Sequence, residues 1–111
     1  ETSQPMAAYF QAQGLSLAKF LCLGLESDLD MARVDPASII KAALASQTKQ
    51  TDAFFLSCTA LQAADVVAEL ERQTGKPVVT SNQACAWELA HHTNLRVDAG
   101  KWGRLFMHAM P

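Results

Sequence analysis

Four uninterrupted apolar residues, Ala53-Phe54-Phe55-Leu56, lie between two stretches of helical periodicity and constrain this sequence more than any other feature. A run that short, with no polar alternation, reads as a strand covered on both faces, and such strands belong to parallel sheets wrapped by helices. The rest of the chain keeps the same alternation. Pro5 fits a first helical turn, Met6, Tyr9 and Phe10 share one apolar face, and Gly14 supplies a left-handed stop. Leu17 to Leu23 reads as a buried strand ending at Gly24, and the acidic stretch Glu26 to Val34 as a loop or single turn. Asp35-Pro36 opens a helix, with Asp as N-cap, Pro at the first helical position, and Ile39, Ile40, Ala43 and Leu44 facing inward.

Leu61 to Thr74 predicts a further helix, with Leu61, Ala64, Val67 and Leu70 inward and Gly75 as its end. Lys76-Pro77-Val78-Val79 is a third, short strand, and Thr80 with Gln83 has the spacing of a capping box that opens a helix through about His91. Gly100 to Leu105 reads as a closing loop or strand. The expected architecture is α/β: a three-layer, flavodoxin-like domain with a parallel sheet and right-handed crossovers.

At 111 residues the chain is one domain, and its 50% apolar content excludes a disordered or low-complexity polypeptide. The formal charge is −2 with Lys and Arg scattered, so no nucleic acid or membrane surface is expected as partner. The longest apolar run is broken by Ser16, Lys19 and Gly24, too short and polar for a membrane span. Three widely spaced cysteines, Cys22, Cys58 and Cys85, argue against a disulfide framework, and with no signal peptide in view the expected setting is the cytoplasm. The chain begins at Glu1 rather than Met, and is expected to be part of something longer.

Ligands of open parallel sheets bind beyond the carboxyl ends of the strands. Two strand ends here are polar: Ser57-Cys58-Thr59, and Thr80-Ser81-Asn82-Gln83. Cys58 is placed at a strand tip just ahead of a helix N-terminus, where unpaired N–H groups favour thiolate over thiol and bind carboxylates. Such a thiol suits acid–base work on carbon. Cys22, amid Phe20, Leu21 and Leu23, and Cys85, beside Ala84 and Ala86, read as buried thiols without a role. His91 and His92 point about 100° apart on a helix and do not chelate one metal together. With His108 far along the chain, no metal site is expected. Glu26, Asp28 and Asp30 lack the glycine and distal glutamate of a calcium loop. No GxGxxG or GKS/GKT pattern occurs, which leaves nucleotide binding unsupported. Trp87 and Trp102 read as core or interface residues.

The stretch Phe54-Phe55-Leu56-Ser57-Cys58-Thr59-Ala60-Leu61, then Glu69-Leu70-Glu71, then Gly75-Lys76-Pro77-Val78-Val79-Thr80-Ser81-Asn82-Gln83-Ala84 with Trp87, resembles the second half of the maleate isomerase and arylmalonate decarboxylase group. That group lies within the Asp/Glu racemase superfamily. Gly24-Leu25-Glu26-Ser27-Asp28 with Met31-Ala32-Arg33-Val34 is most similar to racemase-like proteins of ectoine utilisation. The resemblance covers residues 2 to 106. It implies a protein of two similar α/β domains with the site in the cleft between them, one cysteine from each, and no cofactor or metal. Residues 1–111 would be the C-terminal half of such an enzyme, paired with an N-terminal domain of the same protein and acting on a small carboxylate.

By the same resemblance Cys58 is the proton donor or acceptor of this half, at a carbon next to a carboxylate. The N–H groups of Thr59 and Ala60 would hold the substrate carboxylate and the charge that builds on it, and Asn82 and Asp28 join the substrate-binding set. The family's first cysteine and an upstream tyrosine are absent from these residues, and Tyr9 does not replace the latter, so the fragment alone is expected to be inactive. Maleate isomerases usually carry an asparagine where Asp28 stands. An ionised Asp28 repels a carboxylate and favours an ammonium group, which points to an amino- or ureido-carboxylate substrate.

Two other classes compete with an isomerase or racemase. One is a binding or regulatory module that kept the fold and lost turnover. The other, a redox thiol protein, is disfavoured because no second cysteine lies near Cys58 in sequence. A glycine in place of the first cysteine would instead indicate a one-cysteine decarboxylase. An apolar cleft face without its partner is expected to drive self-association into a homo-oligomer.

Overall fold

The computed structural model describes residues 3–108. Helix α1 (Ser3–Ala12) ends in a turn at Gly14, whose φ of +84° is the left-handed conformation that glycine adopts without strain. Residues 15–26 then run without regular structure to the short helix α2 (Asp28–Ala32), capped by Ser27, whose Oγ accepts from Asp30 N. Helix α3 (Pro36–Ser46) starts as its residues dictate: Asp35 accepts from Ser38 N at 2.9 Å and Ser38 Oγ at 2.7 Å, and Pro36 occupies the first turn. Those two bonds, the hydroxyl first, hold the Asp35 carboxyl below the usual carboxylate range.

Strand β1 (Phe54–Leu56) leads through the loop 57–63 and a 3-10 turn (Ala64–Val66) into α4 (Val67–Thr74), which Gly75 closes at φ +68°. Strand β2 (Val78–Thr80) pairs with β1 in parallel, Phe54 opposite Val78 and Leu56 opposite Thr80. Helix α5 (Ser81–Thr93) opens with the capping box: Thr80 Oγ1 accepts from Gln83 N, and Gln83 Oε1 from Thr80 N. Helix α6 (Ala99–Trp102) and a 3-10 turn (Arg104–Met107) complete the described chain.

Two apolar clusters hold these elements. Ala43, Phe54, Val67, Leu70 and Val78 pack α3 and α4 against the sheet, and Ile39, Leu61, Ala63 and Val66 form the second cluster beside them. Ile40 and Leu56 touch both. A fully buried aliphatic side chain such as Leu70 contributes about 1.5–3 kcal/mol. Glu71 is buried as well: its carboxylate accepts from Val78 N at 3.0 Å and from Arg104 N at 3.1 Å, which ties α4 to β2 and to the C-terminal turn. Gln83 Nε2 donates to the Trp102 carbonyl in the same joint.

Four expectations are corrected. Leu17–Leu23 is not a buried strand; among the described residues the sheet has two strands, and Phe20, Leu21, Cys22 and Leu23 are exposed because no neighbouring strand pairs with them. The helix read from Leu61 begins at Ala64, because the chain first makes a tight turn, Ala63 N donating to Leu61 O at 2.8 Å. Gly100 to Leu105 is neither loop nor strand throughout: α6, started by Asp98, which accepts from Gly100 N at 2.9 Å, and the 3-10 turn from Arg104 flank a break at Gly103. Cys85 is exposed on the outer face of α5, and Phe55 on β1 remains 47% exposed.

Candidate functional site

The loop 57–60 leaves the carboxyl end of β1 and is held from outside rather than by structure of its own. Leu56 and Leu61, at its two ends, are anchored in the apolar clusters. On one side Ser57 Oγ donates to Met6 Sδ of α1 at 3.5 Å, and Phe10 of the same helix meets Phe55 edge to face, 5.5 Å between centroids. On the other, Gln62 Nε2 donates to the Ala32 carbonyl of α2 at 3.0 Å. From below, Asn82 Nδ2 donates to the Thr59 carbonyl at 3.0 Å, so the first turn of α5 fixes the loop backbone.

Cys58 is half-buried, packed against the second apolar cluster, with its Sγ 3.2 Å from Met31 Sδ of α2. Among the described residues the thiol donates to this thioether, a weak acceptor. The N–H groups of Thr59 and Ala60 donate to no acceptor among the described residues. The expected helix N-terminus next to Cys58 is absent: the first helical residue is Ala64, and dipole effects fade beyond the first turn.

Cys58 and Thr59 line a groove of about 1700 Å³. Residues 14–26 and 50–59 line it, together with Asp28 and Met31 of α2 and side chains of α1 and α3. The structure thus brings Cys58, Thr59 and Asp28 to one groove, with Ala60 next in the loop; Asn82 does not line the groove and reaches the loop through its bond to the Thr59 carbonyl. Three carboxylates, Glu26, Asp28 and Asp52, line the groove against one cation, Lys19, whose Nζ already donates to the Ala45 carbonyl at 2.8 Å. A smaller hollow of about 310 Å³ near Trp87, His91 and Arg96 shares no lining residue with it.

Sequence reasoning did not find Met31, Met6 or Gln62 as neighbours of the loop. Met31 lay within the Met31-Ala32-Arg33-Val34 motif, but only the folded position of α2 brings its sulfur to Cys58. Among the described residues no helix is long and apolar enough to cross a membrane.

The chain matches the arylmalonate decarboxylase family over residues 1–106. The arylmalonate decarboxylase of Bordetella bronchiseptica is 29% identical over 109 residues, 96% of this chain and 45% of that protein. A maleate isomerase of Pseudomonas putida is 32% identical over 82 residues, 73% of this chain and 33% of that protein. A crystal structure of arylmalonate decarboxylase superposes with a TM-score of 0.81 at 28% identity, over 96% of this chain and 48% of the other. The unliganded form of that enzyme gives 0.76 at 30% identity, over 96% and 47%. The fold is therefore flavodoxin-like α/β with a parallel sheet, and the chain spans under half the length of these relatives.

Proposed function

For a chain that belongs to the arylmalonate decarboxylase family, we propose that Cys58 transfers a proton at a carbon next to a carboxylate, as part of a cofactor-independent isomerase or racemase. The observation that carries this is the half-buried thiol at the tip of β1, on the groove wall, beside the two unengaged N–H groups of Thr59 and Ala60. In the forward half-reaction the thiolate takes the proton from carbon, and the electron pair moves into the adjoining carboxylate. The N–H groups of Thr59 and Ala60 hold the enediolate charge that results. Fixed donors aimed at developing charge are usually the largest catalytic contribution, with acid–base transfer adding about 10²–10⁴-fold. In the second half-reaction the charge returns to carbon, which takes up a proton.

Asp28 and the acidic groove wall favour a substrate that carries an ammonium or ureido group beside its carboxylate, in keeping with the resemblance to racemase-like proteins of ectoine utilisation. The complete protein is expected to supply the opposing proton-transfer group, so the 111 residues alone should not turn over. A second reading, decarboxylation with Cys58 as the sole proton donor, rests on the decarboxylase relatives. A non-catalytic carboxylate-binding module remains the reading from outside enzymology.

The experiment incubates the complete protein in D₂O with a panel of small carboxylates and follows the α-proton signal by NMR, with Cys58→Ser in parallel. Solvent exchange that vanishes in the variant supports the proposal and identifies the substrate. Loss of CO₂ from a malonate with single deuteration selects the decarboxylase. Exchange undiminished in Cys58→Ser refutes the role of this thiol, and no exchange from folded protein moves the weight to the binding module.

A further inference from the structure

We infer that the hollow between the C-terminal half of α5 and the closing 3-10 turn is a binding site for a small aromatic carboxylate, separate from the groove at Cys58 and independent of what that thiol does. Its volume of about 310 Å³ stands at the lower end of the range for ligand pockets, which suits a body of one ring. Two segments supply the aromatic walls, Trp87 and His91 from α5 and Phe106 from the turn, with Leu95, Arg96 and Val97 between them.

The walls are flat and held in place. Trp87 and His91 stand one helical turn apart, with ring centroids 5.0 Å apart and planes inclined by 51°. The Trp87 indole N–H donates to the His108 carbonyl at 2.9 Å, which ties the ring to the end of the turn that carries Phe106. That bond uses the only donor the indole has, so the ring offers a ligand its face rather than a polar group. All three rings are half-buried, and Leu95 beside them is 67% exposed, so apolar surface lies open at a concave place. A planar apolar body removes such surface from water and can stack on it.

The charge at this place is positive. Arg96 lines the hollow, and its guanidinium makes no hydrogen bond or ion pair among the described residues. Asp98, the carboxylate nearest to it in sequence, is engaged elsewhere: it accepts from Gly100 N at 2.9 Å and caps α6. Among the described residues no Asp or Glu lines the hollow, whereas three line the groove at Cys58. A helix C-terminus ordinarily repels an anion, but the last carbonyls of α5 are already occupied. Leu89 O accepts from Thr93 Oγ1, Ala90 O from Leu95 N, and His91 O from Asn94 N.

A guanidinium receives a carboxylate through two parallel N–H···O bonds. An aromatic carboxylate therefore answers both features at once, its ring against Trp87 and Phe106 and its charge on Arg96. An aliphatic acid lacks the ring, and an aromatic amine has the wrong charge.

The test titrates the complete, ¹⁵N-labelled protein by NMR, with the Trp87 indole N–H as reporter and that of Trp102, outside the hollow, as reference. The ligands are benzoate, acetate, benzyl alcohol and benzylamine. Benzoate should shift Trp87 saturably and leave Trp102 in place, and the other three should bind at least about tenfold more weakly. Arg96→Gln should weaken benzoate about tenfold, and Arg96→Lys, which keeps the charge without the fork, should fall between. Arg96 is exposed, so both variants should stay folded. Cys58→Ser should leave benzoate binding at Trp87 unchanged. Benzoate that binds Arg96→Gln as tightly as the native protein overturns the inference, as does benzylamine that matches benzoate. A Trp87 shift lost in Cys58→Ser, or a benzoate response confined to the amides of 57–60, also overturns it, since the carboxylate then belongs to the groove. So does folded protein that shows no saturable Trp87 shift at millimolar benzoate.

Discussion

Glu71→Ala is the most revealing single change, because one buried carboxylate serves three parts of the fold. Its oxygens accept from Val78 N at 3.0 Å and from Arg104 N at 3.1 Å, and removing them strands two backbone donors. An unsatisfied buried donor costs about 1–3 kcal/mol. Val78 is fully buried and should sit near the upper end; the exposed Arg104 allows water to reach its N–H and should sit near the lower. Relief from burying the carboxylate offsets part of the sum, which leaves a net loss of about 2–4 kcal/mol. For a domain of this size that lowers the melting temperature by roughly 10–25 °C. Urea unfolding followed by circular dichroism reads it directly. Glu71→Gln retains Oε1, which accepts from both donors, and should lose about half as much. A loss of under about 0.5 kcal/mol for Glu71→Ala would refute the claim that this carboxylate joins α4, β2 and the C-terminal turn.

The same joint makes Gly103→Ala costly. A Cβ there would stand 2.5 Å from Val67 Cγ1, at a backbone φ of +100° and ψ of 164° that side chains avoid; about 3–5 kcal/mol should be lost in urea unfolding, less than additively with Glu71→Ala. Asn82→Ala should leave stability within about 1 kcal/mol of the native value but raise amide exchange through 57–60, since only the tie to Thr59 O is cut. Asp28→Asn in the complete protein should lower turnover of amino-carboxylates and raise that of maleate; an equal response of both would remove Asp28 from substrate selection. Glu69 is held at about 2, against an ordinary 4.5, first by the Arg72 guanidinium and then by Gln73. With its folded pKa depressed, any stability it lends is full above pH 4.5 and lost as pH falls toward 2, and is small because both partners are exposed. A carboxyl NMR titration should show the low midpoint, and Arg72→Ala should move it upward.

What the sequence disclosed was what short-range bonding decides. The Asp35-Pro36 start, the Thr80–Gln83 capping box and the Gly75 stop each close within four residues, so their chemistry is complete in the local sequence. Leu17–Leu23 failed for the opposite reason: apolar content predicts a strand, but pairing needs a neighbour at the right edge. Leu61 is buried as its periodicity implies, yet it enters the core from a turn, because periodicity reports which side chains face inward and not where helical bonding begins. Cys22 and Cys85 show the limit of reasoning from residue type: both are exposed where average preference placed them inside. The position of Cys58 just past a strand was legible from the apolar run before it, while its contact with Met31, 27 residues away, was not.

A loop held wholly by its surroundings separates chemistry from folding. Between Leu56 and Leu61 no side chain belongs to the buried core, so residues 57–60 can be exchanged with little effect on the frame that carries them. Substitution can thus change the residues at this strand tip while the anchors at Leu56, Leu61, Met6 and Asn82 stay in place. The chain's sequence relatives include both a decarboxylase and an isomerase, a pairing that such a division of labour permits. A library randomised at 57, 59 and 60 should accordingly yield mostly folded proteins.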